Sequence, residues 1–467
     1  MSAARVAKKR VAPASAARTR TTKTSKATKA TKATKATKAI KTAKATKTVK
    51  ATKAPKARKT SKAAKETSGI TIRMYNVGFG DAFLVTYNVE ERERRILIDC
   101  GSIAANGHAM QAIVTDLHQR CTDKDGVVRI DVVVATHRHR DHISGFGQTR
   151  WQDVEVGEVW LPWTEDPDNE LAFGIRDRQQ RMALILNDWL ANPTMAPRLA
   201  EYKDAILNAS GNEQAMQMLL HGFKASHRPI RRFLPTVAGV DTFTSHELPG
   251  AAIHVLGPSR DEDVIRTLDP PIGKTFLSMA TQGLPGKLEH VLFAERWALS
   301  ASQYHERFKM PPLPALVAKS VRSASMLGED LLAASLDQAI NGTSLVLMIE
   351  IDGKYLFFPG DAQWGTWNAM LKNKTAVSLL KKTSLFKVGH HGSHNATPMD
   401  FVNLHLPEKT PSMVSTRPMS KWPDIPRKPL LDALGDHQCA IARSDSAKNA
   451  PSDQFTALGD LYVETIL

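Results

Sequence analysis

From Gly69 onward the chain alternates between two rhythms. Short β-branched or aromatic runs predict strands. Longer stretches with apolar residues every third or fourth position predict helices. Ile70 to Tyr75 (ITIRMY) alternates like a strand, Asn76 to Asp81 (NVGFGD) is a glycine-rich turn, and Ala82 to Tyr87 is a second strand. Arg94 to Asp99 (RRILID) is a third, and Ala109 to Leu117 suits a short helix. Val132-Val133-Val134 is too short and too β-branched for a helix and predicts a buried strand. Leu171 to about Ala225 is helical, with Met182, Leu186, Trp189 and Leu190 at helical spacing. Ile230 to Leu256 returns to short strands among glycine and proline turns. Ser344 to Ile351 and Lys354 to Phe358 predict a hairpin whose two-residue turn is Asp352-Gly353. Ser384 to Val388, Met413 to Ser415 and Leu461 to Thr465 predict later strands, and Pro429 to Leu434 begins a helix. Hairpins followed by a helix and a buried strand fit one half of an αββα sandwich, an α/β fold whose second half starts near Asn341. Residues 164–339 are read as one large insertion between the halves.

The first 68 residues follow neither rhythm. From Lys26 the sequence repeats roughly every three residues as Lys-Ala-Thr. Same-sign charges at this density repel, and nothing apolar is available to bury, so a disordered basic tail is expected. The tail holds 22 lysines and arginines against the single acid Glu66, a charge of +21. The remaining residues hold 41 basic and 46 acidic side chains, a charge of −5. The formal +16 of the whole chain therefore belongs to the tail. Its composition is similar to that of linker histones and bacterial histone-like proteins, and nucleic acid is the partner expected of residues 1–68. Three cysteines with no knuckle spacing point to a reduced, cytoplasmic setting, with nucleoid association as an option. No run of 18 or more apolar residues exists, so no membrane span is expected. The oligomeric state is not legible.

Candidate chemistry is concentrated in Asp131 to Phe146, DVVVATHRHRDHISGF. After the buried strand come His137, His139, Asp141 and His142. Alternation puts His137 and His139 on one side of an extended chain. Asp141 and His142 are adjacent and can turn towards a second point. One loop thus offers two ligand pairs, suited to two metal ions. Imidazole and carboxylate suit zinc, with manganese as the alternative. Two ions ~3.5–4 Å apart can hold both the attacking and the leaving oxygen of a hydrolysed ester.

The H-x-H-x-D-H loop resembles the signature of the metallo-β-lactamase superfamily. Three further pieces match that family's ordered motifs. Asp99 ends a strand where the family places a carboxylate that orients a ligand. Asp361, in Pro359-Gly360-Asp361-Ala362, matches the carboxylate that bridges the metals. His390, opening His390-His391-Gly392-Ser393-His394, matches the last histidine ligand, with His391 behind it. The finer resemblance is to the nuclease-like domain of ComEC-type DNA-uptake proteins. It rests on Val77-Gly78-Phe79-Gly80-Asp81-Ala82 (Phe where the subfamily has Gln), Asn341 to Leu347 (NGTSLVL) and Phe386 to Ser393 (FKVGHHGS). It covers Gly69 to about Trp163 and Asn341 to about Leu434. Related lactamases and glyoxalases carry a histidine near Asn341, so the first metal is expected to hold only His137, His139 and water. A late His-Pro of the subfamily reads Arg427-Lys428-Pro429 here.

The resemblance implies a metal-dependent hydrolase, a phosphodiesterase or nuclease with Asp141 and Asp361 at its centre. Lys387 or His394 would meet charge on the transferred phosphoryl or assist the leaving oxygen. The alternatives are a lactonase or thioesterase of the same fold, and a histone-like DNA-binding protein with a structural metal.

Overall fold

The computed structural model describes residues 69–103, 107–193, 196, 199–200, 202–267, 274, 329–393, 395–420 and 422–467. Of the two units into which the chain divides, Met1–Ala64 and Lys65–Leu467, all of these belong to the second. The basic tail and His394 lie outside the described residues.

Fifteen strands are described, in two mixed sheets. The first sheet holds β1 (Thr71–Tyr75), β2 (Ala82–Val89), β3 (Arg92–Cys100), β4 (Arg129–Val134), β5 (Glu155–Pro162), β6 (Ile230–Leu234), β14 (Thr456–Leu458) and β15 (Tyr462–Ile466). Their order is β14-β15-β1-β2-β3-β4-β5-β6. The second holds β7 (Asp241–Phe243), β8 (Ala251–Gly257), β9 (Val346–Ile351), β10 (Lys354–Phe358), β11 (Thr383–Lys387), β12 (Ser412–Val414) and β13 (Ile441–Arg443). Their order is β13-β12-β11-β10-β9-β8-β7. β9 and β10 are the hairpin expected around Asp352-Gly353, both residues having positive φ as a tight primed turn requires.

The period-2 pattern decides the layering. Ile72, Met74, Phe83, Val85, Ile96, Ile98, Val132 and Val134 form one inner face, packed on Ile253, Val255, Leu347, Ile349, Leu356, Phe358 and Leu385 from the other sheet. The intervening residues are also apolar. Leu84, Leu97 and Val133 point outward onto helix Gly107–Arg120 (Ile113, Val114, Leu117) and helix Glu213–His221 (Met216, Leu219). Val346, Met348, Phe357 and Phe386 point outward onto Trp367, Leu379, Phe401 and Leu434 of four helices on the far side. The order is helix, sheet, sheet, helix. Strands covered on both faces read as continuous apolar runs, which is why β4 and β9 do. Each fully buried Leu, Ile or Phe contributes about 1.5–3 kcal/mol.

One expectation is corrected. Residues 164–339 are not a single insertion, because β6, β7 and β8 within that range are strands of the two sheets. They are the short strands expected over Ile230 to Leu256; their membership of the two sheets is what the pattern did not carry. Outside the sheets stand helices Glu170–Ala191, Lys203–Ala209 and Glu329–Asn341, which share a core of Ala183, Leu186, Ile206, Ala333, Leu336 and Ile340. No helix of the described residues is long and apolar enough to cross a membrane.

β3, β4 and β5 run parallel, as do β10, β11 and β12. Their C-terminal ends therefore share an edge within each sheet, and the loops leaving them carry the candidate site.

Candidate metal centre

Four carboxylates and four imidazoles converge at this edge. Asp99, at the end of β3, adopts φ +57°. Its two oxygens accept hydrogen bonds from the backbone N–H and Oγ1 of Thr136, both at 2.7 Å. The same carboxylate lies 2.7 Å from Nδ1 of His142, so the opposite nitrogen, Nε2, points into the centre. There it stands 3.1 Å from Oδ2 of Asp361. Asp361 leaves β10 through Gly360, whose φ of +56° turns the chain inward. Its Oδ1 accepts from the backbone N–H of His390 at 3.1 Å.

Three donor groups result, each with ligand atoms within 4.8 Å of one another. They are Asp141, His142, Asp361 and His391; His137, His139 and Asp141; and Asp81, Asp99 and His142. Asp141 belongs to the first two groups and links them. Nε2 of His137 and Nδ1 of His139 face each other at 3.1 Å. All of these side chains are buried. The three cysteines, also buried, are unbridged and lie outside the groups.

His391, not His390, stands in the four-residue group. Its Nε2 lies 3.1 Å from Asp141, and its Nδ1 donates to the Ser415 carbonyl at 2.9 Å. His390 keeps 18% side-chain exposure, and its Nε2 is 3.9 Å from Asp361. Both histidines have positive φ, so the tight Gly389–Gly392 turn sends neighbouring rings to different places. Asn341 is buried but faces Asp337, donating from Nδ2 at 3.3 Å. Lys387 is not a residue of the cleft mouth. It is 2% exposed, bonded to Asp81 and 3.5 Å from Asp361, a cation beneath the carboxylates.

Two residues escaped the sequence reading of the site. Asp81, in the Gly78-Phe79-Gly80-Asp81 turn, stood within a motif of the resemblance but was given no role; it groups with Asp99 and His142 and is bonded to Lys387. Asp337 reaches in from helix Glu329–Asn341, its Oδ1 3.6 Å from Nε2 of His139. Its local sequence carries no motif.

The electrostatics suit a cation. Burial works against charge on Asp141 and Asp361, yet His142 and its neighbours hold both carboxyls far below their usual range. Burial lowers His139 to about 4 and His137 well below its ordinary value, leaving both rings neutral, as ligands must be. Burial also opposes charge on His142, but Asp361, Asp141 and Asp99 outweigh it and raise the ring. Desolvation, with Asp141 and Asp361 nearby, pushes Asp337 up to about 8, although its 23% side-chain exposure lets water moderate the effect. Buried polar atoms without a partner gather here too: Asp81 Oδ1, His139 Nε2, Asp141 Oδ1, Asn341 Oδ1 and His390 Nδ1. Each such orphan costs about 1–3 kcal/mol. A cation drawing on the carboxylate oxygens among them, Asp81 Oδ1 and Asp141 Oδ1, would offset part of that cost, so the residues fit a metal ion.

The centre opens into a cleft of about 610 Å³. Its walls include Phe79, Tyr202, Asp337, Asn395, Trp422 and Arg427. No protein-family model and no curated protein matches the sequence.

Proposed function

We propose that the chain is a metal-dependent hydrolase of the metallo-β-lactamase type, acting on phosphodiesters in the manner of the ComEC-like nuclease domains it resembles. The observation that carries the reading is the shared carboxylate. Asp141 stands in two donor groups at once, with Asp361 and His391 on one side and His137 and His139 on the other. That arrangement suits two adjacent ions, zinc first and manganese second, held by nitrogen and oxygen donors without a thiolate. Bound there, such ions supply Lewis acidity and a water that ionises near neutral pH.

The chain's own groups do the rest. Asp99 fixes the tautomer of His142 through Nδ1, and the Ser415 carbonyl fixes His391 in the same way. Lys387 balances Asp81 and Asp361, which allows several carboxylates to share one dry pocket. Arg427 lies in the cleft wall, where its guanidinium can donate to an anionic substrate oxygen. Phe79 and Trp422, their rings 5.2 Å apart, offer an apolar wall beside it. The tail of residues 1–68 is proposed to hold nucleic acid near this mildly acidic body.

The test is a panel of phosphodiester, lactone and thioester substrates offered to chelator-treated protein before and after reloading with zinc or manganese. Diester turnover should appear only with metal and fall by about 10²-fold or more in Asp361→Ala and His139→Ala. Metal-dependent turnover of lactones or thioesters without any diester cleavage would replace the phosphodiesterase reading with the other hydrolase class.

A further inference from the structure

The His137–His139 half of the centre looks incomplete when only the loop that carries it is considered. Its completion comes from a helix that belongs to neither sheet. Helix Glu329–Asn341 packs on its neighbours through Ala333, Leu336 and Ile340. That spacing of three and four fixes the rotation of the helix. It leaves Asp337 and Asn341, one turn apart, on an adjoining stripe that meets the metal loop.

The contacts form a chain. Asn341 donates from Nδ2 to Oδ2 of Asp337 at 3.3 Å. The other oxygen, Oδ1, stands 3.6 Å from Nε2 of His139. That nitrogen is buried and has no hydrogen-bond partner, while the opposite ring nitrogen, Nδ1, faces His137. A histidine that gives one nitrogen to a cation carries its proton on the other, and a carboxylate commonly fixes that N–H. A small rotation of ring or carboxylate closes 3.6 Å to a hydrogen bond. The placement is otherwise unfavourable. Asp337 sits near the C-terminal end of its helix, where the macrodipole disfavours negative charge, and the last turn carries no basic residue.

We infer that Asp337, steadied by Asn341, is the positioning carboxylate for His139 and sets how tightly the His137–His139 position holds a divalent cation. This rests on the reading that the centre binds metal. Asn341 thereby acts through Asp337 instead of through the ion.

The experiment is a titration of full-length, chelator-treated protein with cobalt(II), followed by calorimetry and by the visible absorption of the bound ion, and repeated with zinc. The unaltered protein should take up two ions. Asp337→Asn should weaken one of them about 10–100-fold, the usual cost of losing such a partner, and alter its absorption band. The ion held by Asp141, His142, Asp361 and His391 should keep its affinity. Asn341→Ala should weaken the same ion by a smaller factor, and Asp337→Glu should restore part of the loss. Equal binding of both ions by the unaltered protein, Asp337→Asn and Asn341→Ala would overturn the inference while leaving the metal centre in place. Unaltered protein that binds no ion at all would overturn the centre and the inference together.

Discussion

His390 and His391 are neighbours in sequence with opposite environments. His391 is fully buried and bonded at both nitrogens, whereas His390 reaches the rim with one nitrogen unpartnered. Metal analysis of purified protein should therefore separate them. His391→Ala and Asp141→Ala should lose at least one equivalent, and His390→Ala should retain nearly the full content. Full retention in His391→Ala would contradict this assignment. Charge on His142 adds a pH dependence. Its folded-state value lies above the unfolded 6.5, raised by Asp361, Asp141 and Asp99 against the opposing effect of burial. In metal-free protein its contribution to stability is fully present below 6.5 and is lost as pH rises through the folded value. A cation needs the neutral ring, so binding at pH 7 expels protons and tightens as pH rises. Calorimetry in buffers of different protonation enthalpy should register that release, and heats independent of buffer would count against it.

At the level of elements, the site depends on how closely two turns approach. Gly80, at φ +150°, lies so near the Gly101 carbonyl and the Asp141 carbonyl that a Cβ would come 2.5 Å from the latter and closer still to the former. The backbone N–H of Asp81 donates to that same Asp141 carbonyl at 2.9 Å. Gly80→Ala should push the metal loop outward, costing about 1–3 kcal/mol of stability. A thermal melt and a metal assay should fall together, and an unchanged melt would refute the tight approach. These elements differ in how far the sequence exposes them. The strand ends bearing His137 to His142 and Asp361 were legible because a buried β-branched run stops abruptly at polar donors. β6, β7 and β8 were legible as short strands, but not as members of the two sheets, since sheet membership depends on partners distant in sequence. Nor could local pattern choose between His390 and His391, because ring direction follows from positive φ at both. Asp337 was invisible for a different reason. Its partner lies almost two hundred positions away, and helical spacing alone only says that it adjoins a buried stripe.

Across the whole molecule, charge is divided between a tail at +21 and a remainder at −5. Lysines three apart along an extended chain lie roughly 10 Å from each other, loose enough to follow a phosphate backbone without base register. Duplex DNA binding by the full chain should weaken with salt by about 0.9 log units per phosphate neutralised. A chain beginning at Gly69 should lose that binding and its salt slope while turning over a small diester at the same rate. Equal affinity and slope for both forms would remove the tail from DNA binding. The pairing of β1 with β15 has a consequence of another kind. Arg73 and Glu464, bonded across that pair, are 391 positions apart. On the ribosome, β1 leaves the exit tunnel early and waits with one edge bare until β15 has been made. At about 5–20 residues per second that interval lasts on the order of 20–80 seconds. Throughout it the nascent chain displays an open β edge, the kind of surface that chaperones cover and that neighbouring chains can capture.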